Sequence, residues 1–347
     1  MERTQFIIAA IGLALGGALL PFSQDWAALV VGLTLLVLGA DWLVDGSARL
    51  AGRLGVSHLL IGLTVVAFGT SAPELGASVQ ATLKGEGALA IGNVVGSNIA
   101  NICLILGLTA LLRPVTCPPR LVREDVPAMI GVTAVGMLAI GTGGVVGRIE
   151  GVVLTLGIIG YTFWLYTRGR REASAGLRGT VAAKLVEAVE QPNDAPPGGK
   201  GIWREVVLVV VGAAALGVGS KMLVFGASSV AATMGVSASV IGLTIIAFGT
   251  SVPELVTCLN AVLKKESDIA TGNILGSNVF NILSVLGVAS LVRPIDVPPD
   301  VVSRDIWVML AVALVCLPLM RKRVSRAGGG FLFLSYLLYM VYLGLEG

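Results

Sequence analysis

The sequence contains the same block of residues twice. Residues 62–74 read Gly-Leu-Thr-Val-Val-Ala-Phe-Gly-Thr-Ser-Ala-Pro-Glu, and residues 242–254 read Gly-Leu-Thr-Ile-Ile-Ala-Phe-Gly-Thr-Ser-Val-Pro-Glu. A second block, at 92–101, returns at 272–281 with the same offset of 180 residues. Over 62–75 and 92–101, 17 of 24 positions are identical in the other copy. An internal duplication of this kind predicts a fold assembled from two copies of one structural unit.

The composition indicates an integral membrane protein. Hydrophobic residues make up 55% of the chain and charged residues 13%, with a mean hydropathy of +0.89. The apolar runs are about twenty residues long, which suits helices that cross a hydrocarbon core of about 30 Å, and they lack the short alternation of a barrel. A net charge of +3 is too small to indicate nucleic-acid binding. The expected surroundings are therefore a lipid bilayer.

The predicted fold class is an all-α membrane protein with two inverted five-helix repeats, discontinuous core helices and one additional N-terminal helix. Its predicted parts are an extra transmembrane helix (1–24), a first repeat (25–168), a cytoplasmic linker (169–202) and a second repeat (203–347). The first helix occupies 4–22, where a cleaved signal peptide remains an alternative. The other predicted spans are 26–46, 57–84, 87–112, 122–142, 148–167, 204–226, 237–264, 267–292, 303–320 and 329–345.

An odd number of spans in each unit requires the second unit to enter the membrane from the opposite face. A cytoplasmic N-terminus leaves 19 of the 24 Lys and Arg residues on the cytoplasmic side, as the positive-inside rule favours. We therefore expect eleven spans in the cell's inner (plasma) membrane, with the N-terminus inside and the C-terminus outside. We also expect the chain to function as a monomer.

Glu74 and Glu254 are the carboxylates that lie well inside apolar spans in both copies. A charged group near the bilayer centre costs about 2.5 to 3.5 kcal/mol on insertion scales, so it implies a partner or a bound ion. Pro73 and Pro253 precede them, and a proline removes one helical hydrogen bond. We therefore expect helix breaks near Gly69-Thr70 and Gly249-Thr250, with freed carbonyls close to the hydroxyl groups of Thr70, Ser71, Thr250 and Ser251.

The second block adds polar side chains on the next span. Ser97 and Asn101 are four residues apart and so share one helical face, as do Ser277 and Asn281. Asn93, Asn98, Asn273 and Asn278 are interpreted as hydrogen bonds between helices. All of these groups offer oxygen, which favours hard cations such as calcium and sodium over soft transition metals.

The remaining polar residues receive simpler interpretations. Asp41, Asp45 and Lys221 are interpreted as end-of-helix charges, since inversion puts the equivalent residues Asp41 and Lys221 in opposite leaflets. His58, the single histidine, begins a span near the cytoplasmic surface. The four cysteines have neither metal nor disulfide spacing and are predicted to be small buried side chains.

The paired Gly-Thr-Ser-x-Pro-Glu and Gly-Ser-Asn-x-x-Asn blocks resemble those of the sodium/calcium exchanger family, over about residues 26–346. The resemblance implies a four-member ion cluster of Glu74, Asn101, Glu254 and Asn281. It also implies further ligands, which are Ala67, Thr70, Ser71, Ala247, Thr250, Ser251, Ser97 and Ser277.

The implied function is a secondary active antiporter that exchanges sodium for calcium by alternating access, is electrogenic and exports calcium. No cofactor is expected, since both ions are transported. Some prokaryotic members and the potassium-dependent branch of that family carry Asp where this chain has Asn281, which argues against potassium co-transport.

Three alternative functions remain compatible with the sequence. A calcium/proton antiporter on the same scaffold is the nearest, although that branch usually has Gly-Asn-x-x-Glu in place of the motif seen here. A cation channel would need a continuous polar path. An intramembrane enzyme is disfavoured, because the chain has one histidine and no His-Glu-x-x-His motif.

Overall fold

The computed structural model describes residues 11–12, 14–16, 24–187, 202–235 and 247–346. Within these ranges the main elements are nine helices that are long and apolar enough to cross a membrane and one shorter apolar helix, α7. The helices are α1 (Gln24–Leu54), α2 (His58–Lys84), α3 (Gly87–Leu112), α4 (Leu121–Gly141), α5 (Arg148–Glu187), α6 (Trp203–Thr233), α7 (Val252–Leu263), α8 (Ser267–Val292), α9 (Val301–Leu319) and α10 (Arg326–Glu346).

The helices follow the predicted spans, with longer peripheral helices. α1 continues past the predicted end at 46, and α5 extends through the first part of the predicted linker to Glu187. Of the predicted first helix, residues 11–12 and 14–16 are helical, and Gly12 and Gly16 lie against Thr34 and Val31 of α1. The rest of that prediction, and the first part of the span at 237–264, lie outside the described residues.

Two short strand pairs show the inversion. β1 (Val115–Thr116) pairs antiparallel with β4 (Arg323–Val324), and β2 (Val145–Val146) pairs with β3 (Ile295–Asp296). β3 is the repeat equivalent of β1. However, β1 follows the end of α3, whereas Gly87 at the start of α3 lies against Asp296 of β3. Equivalent strands therefore lie at opposite ends of a spanning helix, and the prediction of inverted repeats is confirmed.

Only one of the two predicted helix breaks is present. In the second copy a single helical turn, Ala247–Gly249, ends at Thr250–Ser251 before α7 begins, and the freed carbonyl of Gly249 accepts a 2.5 Å hydrogen bond from Ser220 Oγ. In the first copy the helix runs without interruption from Ala67 to Lys84, through Pro73, so the break predicted at Gly69-Thr70 is wrong. A π-helical turn at Gly62–Val66 lies just before it.

Helices α1 and α6 form a close pair at the periphery. A Cβ atom added to Gly39 would lie 2.8 Å from the carbonyl oxygen of Gly212, and one added to Gly32 would lie 2.8 Å from that of Gly219. Glycine is needed at these positions because the two backbones are almost in contact. The pair therefore behaves as one packed unit beside the core.

The interpretation of Asp41 and Asp45 as end-of-helix charges is wrong. Asp41 is 8% exposed within α1 and forms an ion pair with Lys264, which follows α7. Asp45 Oδ1 lies 2.6 Å from the same Lys264 ammonium. Lys221 is exposed on α6. The two aspartates thus connect the peripheral pair to the core.

The core is formed mainly by α2, α3, α7 and α8, of which α3 and α8 are the most enclosed. The four cysteines are free and buried, as predicted. In the loop after α3, burial raises the pKa of the Cys117 thiol to about 12, which keeps it protonated and unreactive.

A second close contact between the repeats joins α2 to α8. A Cβ atom on Gly272 would lie 2.6 Å from the Leu59 carbonyl oxygen and 2.9 Å from Gly62 Cα. We therefore expect Gly272→Ala to lower the free energy of unfolding by about 1–3 kcal/mol, because the added methyl group forces the two backbones apart. Thermal unfolding of the purified protein in detergent measures this change.

Gly160→Ala is the matched control, since Gly160 lies on the exposed face of α5 with no described atom within 4 Å of an added Cβ. It should leave the melting temperature unchanged or raise it slightly, given the higher helix propensity of alanine. Equal melting temperatures for the two variants would contradict the close contact.

Candidate functional site

The two glutamates are buried between the repeats. Glu74 in α2 is 1% exposed and Glu254 in α7 is fully buried. Each accepts one hydrogen bond from a serine of the opposite repeat: Ser71 Oγ donates to Glu254 Oε1 at 3.1 Å, and Ser251 Oγ donates to Glu74 Oε1 at 3.4 Å. The prediction that the duplicated motifs meet is therefore supported by reciprocal contacts.

The second oxygen of each carboxylate has no hydrogen-bond partner among the described residues. Burying an ionised carboxylate without compensation is far more costly than burying a neutral group. No described Lys, Arg or His side chain forms a salt bridge with Glu74 or Glu254. These two oxygens are thus oriented groups that a cation would satisfy.

The threonines of the motif cross between the repeats in the same reciprocal way. Thr70 Oγ1 donates to Asn273 Oδ1 at 3.0 Å, and Thr250 Oγ1 donates to Asn93 Oδ1 at 3.2 Å. The interpretation of Asn93 and Asn273 as links between helices is confirmed. These bonds fix α2 against α8 and the residues before α7 against α3.

The amide nitrogens of the same asparagines reach equivalent positions that the sequence analysis missed. Asn93 Nδ2 donates to Ser78 Oγ at 2.8 Å, and Asn273 Nδ2 lies 3.4 Å from Cys258 Sγ. Ser78 and Cys258 are separated by the repeat offset of 180 residues. A polar residue at 78 on the face of Glu74 was the available signal, but the cysteine at 258 concealed its equivalence.

Asn101 and Asn281 begin equivalent π-helical turns, Asn101–Leu106 and Asn281–Leu286. Both side chains are 1% exposed, and neither amide nitrogen nor amide oxygen has a hydrogen-bond partner among the described residues. The turn at Asn281 packs against α2, and the turn at Asn101 packs against α7. A buried unpaired amide costs about 1–3 kcal/mol, and π-helical turns are frequent at functional sites, so both asparagines are candidates for ion ligands.

The serines predicted on α3 and α8 join the hydroxyl network. Ser251 Oγ lies 3.2 Å from Ser97 Oγ, and Thr70 Oγ1 lies 3.4 Å from Ser277 Oγ. Ser97 is 4% exposed and Ser277 is fully buried. Both serines therefore stand one hydrogen bond away from residues of the Thr-Ser motifs.

Ala67 and Ala247 occupy equivalent positions in the two motifs. Ala67 is fully buried, and its carbonyl oxygen accepts a long 3.4 Å bond from Thr70 Oγ1. Ala247 begins the helical turn that precedes Thr250, and its side chain is outside the described part of the chain. Both backbones are thus close in sequence to the crossing threonines.

Asn98 and Asn278 do not link helices, so that interpretation is wrong. Asn98 Nδ2 donates to Val94 O at 2.8 Å, and Asn278 Nδ2 donates to Ile274 O at 2.9 Å, in each case within the same helix. Their amide bonds satisfy carbonyls four residues back. These two residues therefore support their own helices and are not part of the network around Glu74 and Glu254.

The site combines two carboxylates with neutral oxygens. Among the described residues there is no group of three or more His, Cys, Asp or Glu side chains that would hold a metal. Two formal negative charges surrounded by amide, hydroxyl and carbonyl oxygens suit a hard cation bound reversibly. They offer nothing to a soft metal held by thiolate or imidazole ligands.

Comparison with known proteins gives consistent results. The profile of the family described as "Sodium/calcium exchanger protein" matches residues 25–167 and 204–345. The chain is 38% identical over 304 residues to the inner membrane protein YrbG of Escherichia coli (strain K12), covering 88% of this chain and 91% of YrbG. It is 32% identical over 341 residues to the sodium/calcium exchanger MaX1 of Methanosarcina acetivorans, covering 91% and 97%.

The fold is also that of a solved structure. The sodium-calcium exchanger NCX_Mj, soaked with 10 mM Na+ and 10 mM Sr2+, superposes with a TM-score of 0.77 at 29% identity, covering 91% of this chain and 97% of NCX_Mj. The match extends over nearly the whole of both chains. The overall helical architecture is therefore shared with that protein.

The serine contacts lead to a test of the site. We expect Ser71→Ala to weaken calcium binding roughly 10- to 100-fold, because a hydrogen bond to a charged group contributes about 1.5–3 kcal/mol and here orients the Glu254 carboxylate. Isothermal titration of the purified protein with Ca2+ in sodium-free buffer measures this change. Ser290→Ala is the control, since Ser290 is buried but bonds only to carbonyls of its own helix. Equal affinities in the two variants would exclude Ser71 from the site.

Proposed function

Because the chain belongs to the sodium/calcium exchanger family and so serves cation/calcium antiport, we propose that it exchanges sodium for calcium at the site of Glu74 and Glu254. The observation that supports this most is the pair of buried carboxylates, each held by a serine of the opposite repeat and each with one oxygen left unpartnered. An occupant that can be exchanged is what such a pair requires.

The proposed ligands are oxygen donors from both repeats. Calcium takes six to eight oxygen contacts, more than two carboxylates supply alone. Hydroxyl, amide and backbone carbonyl oxygens would complete the shell. The proposed set is Glu74, Asn101, Glu254, Asn281, Thr70, Ser71, Thr250, Ser251, Ser97, Ser277, Ala67 and Ala247.

Exchange follows from the charge of the site. Two carboxylates neutralise one calcium ion. Without a bound ion they remain as uncompensated buried charges, which oppose the conformational change that switches the site from one membrane face to the other. The protein then changes its exposed face only when calcium or the counter-ion is bound. Calcium and sodium compete for the same oxygens, so the flux of one is tied to the opposite flux of the other.

A stoichiometry of three sodium ions for one calcium ion makes the cycle electrogenic. One net positive charge then moves with sodium in each turn. Moving one charge through 100 mV is equivalent to about 2.3 kcal/mol, so a negative interior drives sodium entry and calcium export. The proposed direction in the cell is therefore calcium export.

We place the N-terminus in the cytoplasm because of the distribution of Lys and Arg. Under this orientation β1 and β4 lie on the cytoplasmic face and β2 and β3 on the outer face. Alternating access would come from movement of α1 and α6 as a unit against the core, which their close glycine contacts favour.

A second candidate is calcium/proton antiport. The same unpartnered carboxylate oxygens would be satisfied by protons when calcium leaves. Asn281 also gives the site only two carboxylates, so its preference for sodium over protons must come from the neutral oxygens. The two candidates differ in the counter-ion alone.

The glutamates provide the first functional test. We expect Glu74→Gln and Glu254→Gln each to lower calcium transport by about 100-fold or more. The bound calcium ion loses one of its two carboxylate partners, and removing one partner of a buried pair of opposite charges costs about 3–5 kcal/mol. Uptake of 45Ca2+ into proteoliposomes measures the effect, with thermal unfolding as a check on folding. Glu150→Gln is the control, since Glu150 lies in the first turn of α5, where it accepts a hydrogen bond from Gly147 N. Normal transport by both Gln variants would refute the site.

The counter-ion is decided with vesicles of different contents. We expect 45Ca2+ uptake into sodium-loaded proteoliposomes. Uptake should be faster when valinomycin and a potassium gradient make the interior positive, because each turn of the cycle removes one net positive charge from the lumen. Potassium-loaded vesicles at equal pH should show none. Uptake driven by an acidic lumen without sodium would instead establish proton exchange.

A further inference from the structure

Lys264 forms an ion pair with two aspartates, Asp41 and Asp45, away from the ion site. Its ammonium group forms an ion pair with Asp41 Oδ1, lies 2.6 Å from Asp45 Oδ1 and donates to the Asp41 carbonyl oxygen at 3.3 Å. The side chains of Lys264, Asp41 and Asp45 are 16%, 12% and 19% exposed. Because the two aspartates are four residues apart on α1, one ammonium group reaches both. This is a mostly buried contact that leaves little room for α1 to shift.

The contact joins the two parts of the molecule that alternating access must move apart. Asp41 and Asp45 belong to α1, which moves with α6 in the proposed cycle. Lys264 follows α7, ten residues after Glu254. Displacement of α1 along α7 would therefore separate opposite charges in a low-dielectric setting.

Among the described residues, the contact has no counterpart at the other face. The repeat offset of 180 residues takes Asp41 to Lys221, Asp45 to Phe225 and Lys264 to Lys84. All three equivalent residues are exposed. Lys221 and Lys84, the equivalents of Asp41 and Lys264, carry the same charge and cannot form an ion pair. Lys264 lies near the β1–β4 face, since Arg113, just before β1, donates to Val262 O at 3.2 Å. Lys84 lies at the β2–β3 face, where Arg293 is adjacent to Gly85.

Burial around the ion site differs between the same two faces. Thr70 and Asn273, the crossing pair on the β1–β4 side, are fully buried. Thr250 and Asn93, the crossing pair on the β2–β3 side, are both partly exposed. The structure is thus closed on the side where Lys264 joins α1 to α7.

We propose that Lys264 is a positioning residue of the exchange cycle, and that its contact with Asp41 and Asp45 holds the ion site closed to the β1–β4 face. The inference rests on the proposed function, because it assigns the contact a place in alternating access. Breaking it favours the state open to the β1–β4 face, and no equivalent ion pair is present among the described residues at the other face.

The test compares charge removal at the two faces. Lys264→Gln removes the ammonium group but leaves two buried carboxylates, so the triple variant Asp41→Asn, Asp45→Asn, Lys264→Gln is made as well to remove all three charges. Lys264→Arg retains the charge and should preserve the wild-type behaviour. Lys84→Gln, at the equivalent exposed position, is the matched control.

Two readouts separate a positioning role from a purely structural one. Hydrogen-deuterium exchange of the protein in nanodiscs, without sodium or calcium, should increase in the 41–54 part of α1 and not in the 24–34 part. In oriented proteoliposomes, the ratio of the calcium KM values at the two faces should shift about tenfold toward tighter binding at the β1–β4 face, as expected for typical coupling between sites.

The outcomes are distinct. A lower melting temperature in the Lys264→Gln and triple variants, with wild-type KM ratio and wild-type deuterium pattern, would overturn the proposal. The same shifts in Lys84→Gln would also overturn it, because the effect would not be specific to one face. Absence of calcium exchange in the wild-type protein would refute the proposed function, whereas the deuterium pattern would still decide whether Lys264 positions α1.

Discussion

The structure depends on two glutamates that are buried in core helices and held from opposite repeats. A carboxylate near the bilayer centre costs about 2.5 to 3.5 kcal/mol on insertion scales, and this fold contains two. Each is bonded by a serine that belongs to the other copy of the motif, Ser71 to Glu254 and Ser251 to Glu74. Neither repeat can therefore complete the site alone. The glycine contacts between α2 and α8 and the crossing threonines bring the two copies close enough for these bonds to form.

Much of the fold and the centre of the candidate site could be predicted from the duplicated sequence. Apolar length defines spanning helices, and an odd number of them per unit requires inversion, which the β1–β4 and β2–β3 pairs confirm. The polar residues of the motifs were identifiable because polar groups in hydrocarbon need partners, and two copies make the same accidental pattern improbable. Thr70, Ser71 and Ser251 each contact the opposite repeat, as that argument requires.

The local backbone was less predictable. Pro73 and Pro253 remove the same hydrogen bond, yet one helix continues and the other is interrupted before α7. Sequence identity within the motif hides this difference, since it depends on what surrounds each freed carbonyl. Ser220 supplies a donor to Gly249 O, whereas the equivalent position in the first copy is Ala40. Asn98 and Asn278 were misassigned for a related reason: an asparagine in a helix can donate to its own backbone as readily as to a neighbouring helix.

The ion pair of Lys264 could not be predicted from the duplication, because the duplication relates equivalent positions of the two repeats. This contact joins positions that are not equivalent. Asp41 was compared with Lys221, its counterpart by offset, and the two are indeed apart. Its partner follows α7 and could be found only by placing α1 beside that helix. An inverted duplication makes the two faces of the membrane nearly alike, so the preference for one face must come from residues that break the symmetry. Asp41 and Asp45 are such residues, since their repeat equivalents are Lys221 and Phe225. The equivalent lysines Lys264 and Lys84 therefore meet two aspartates at one face and an exposed surface at the other.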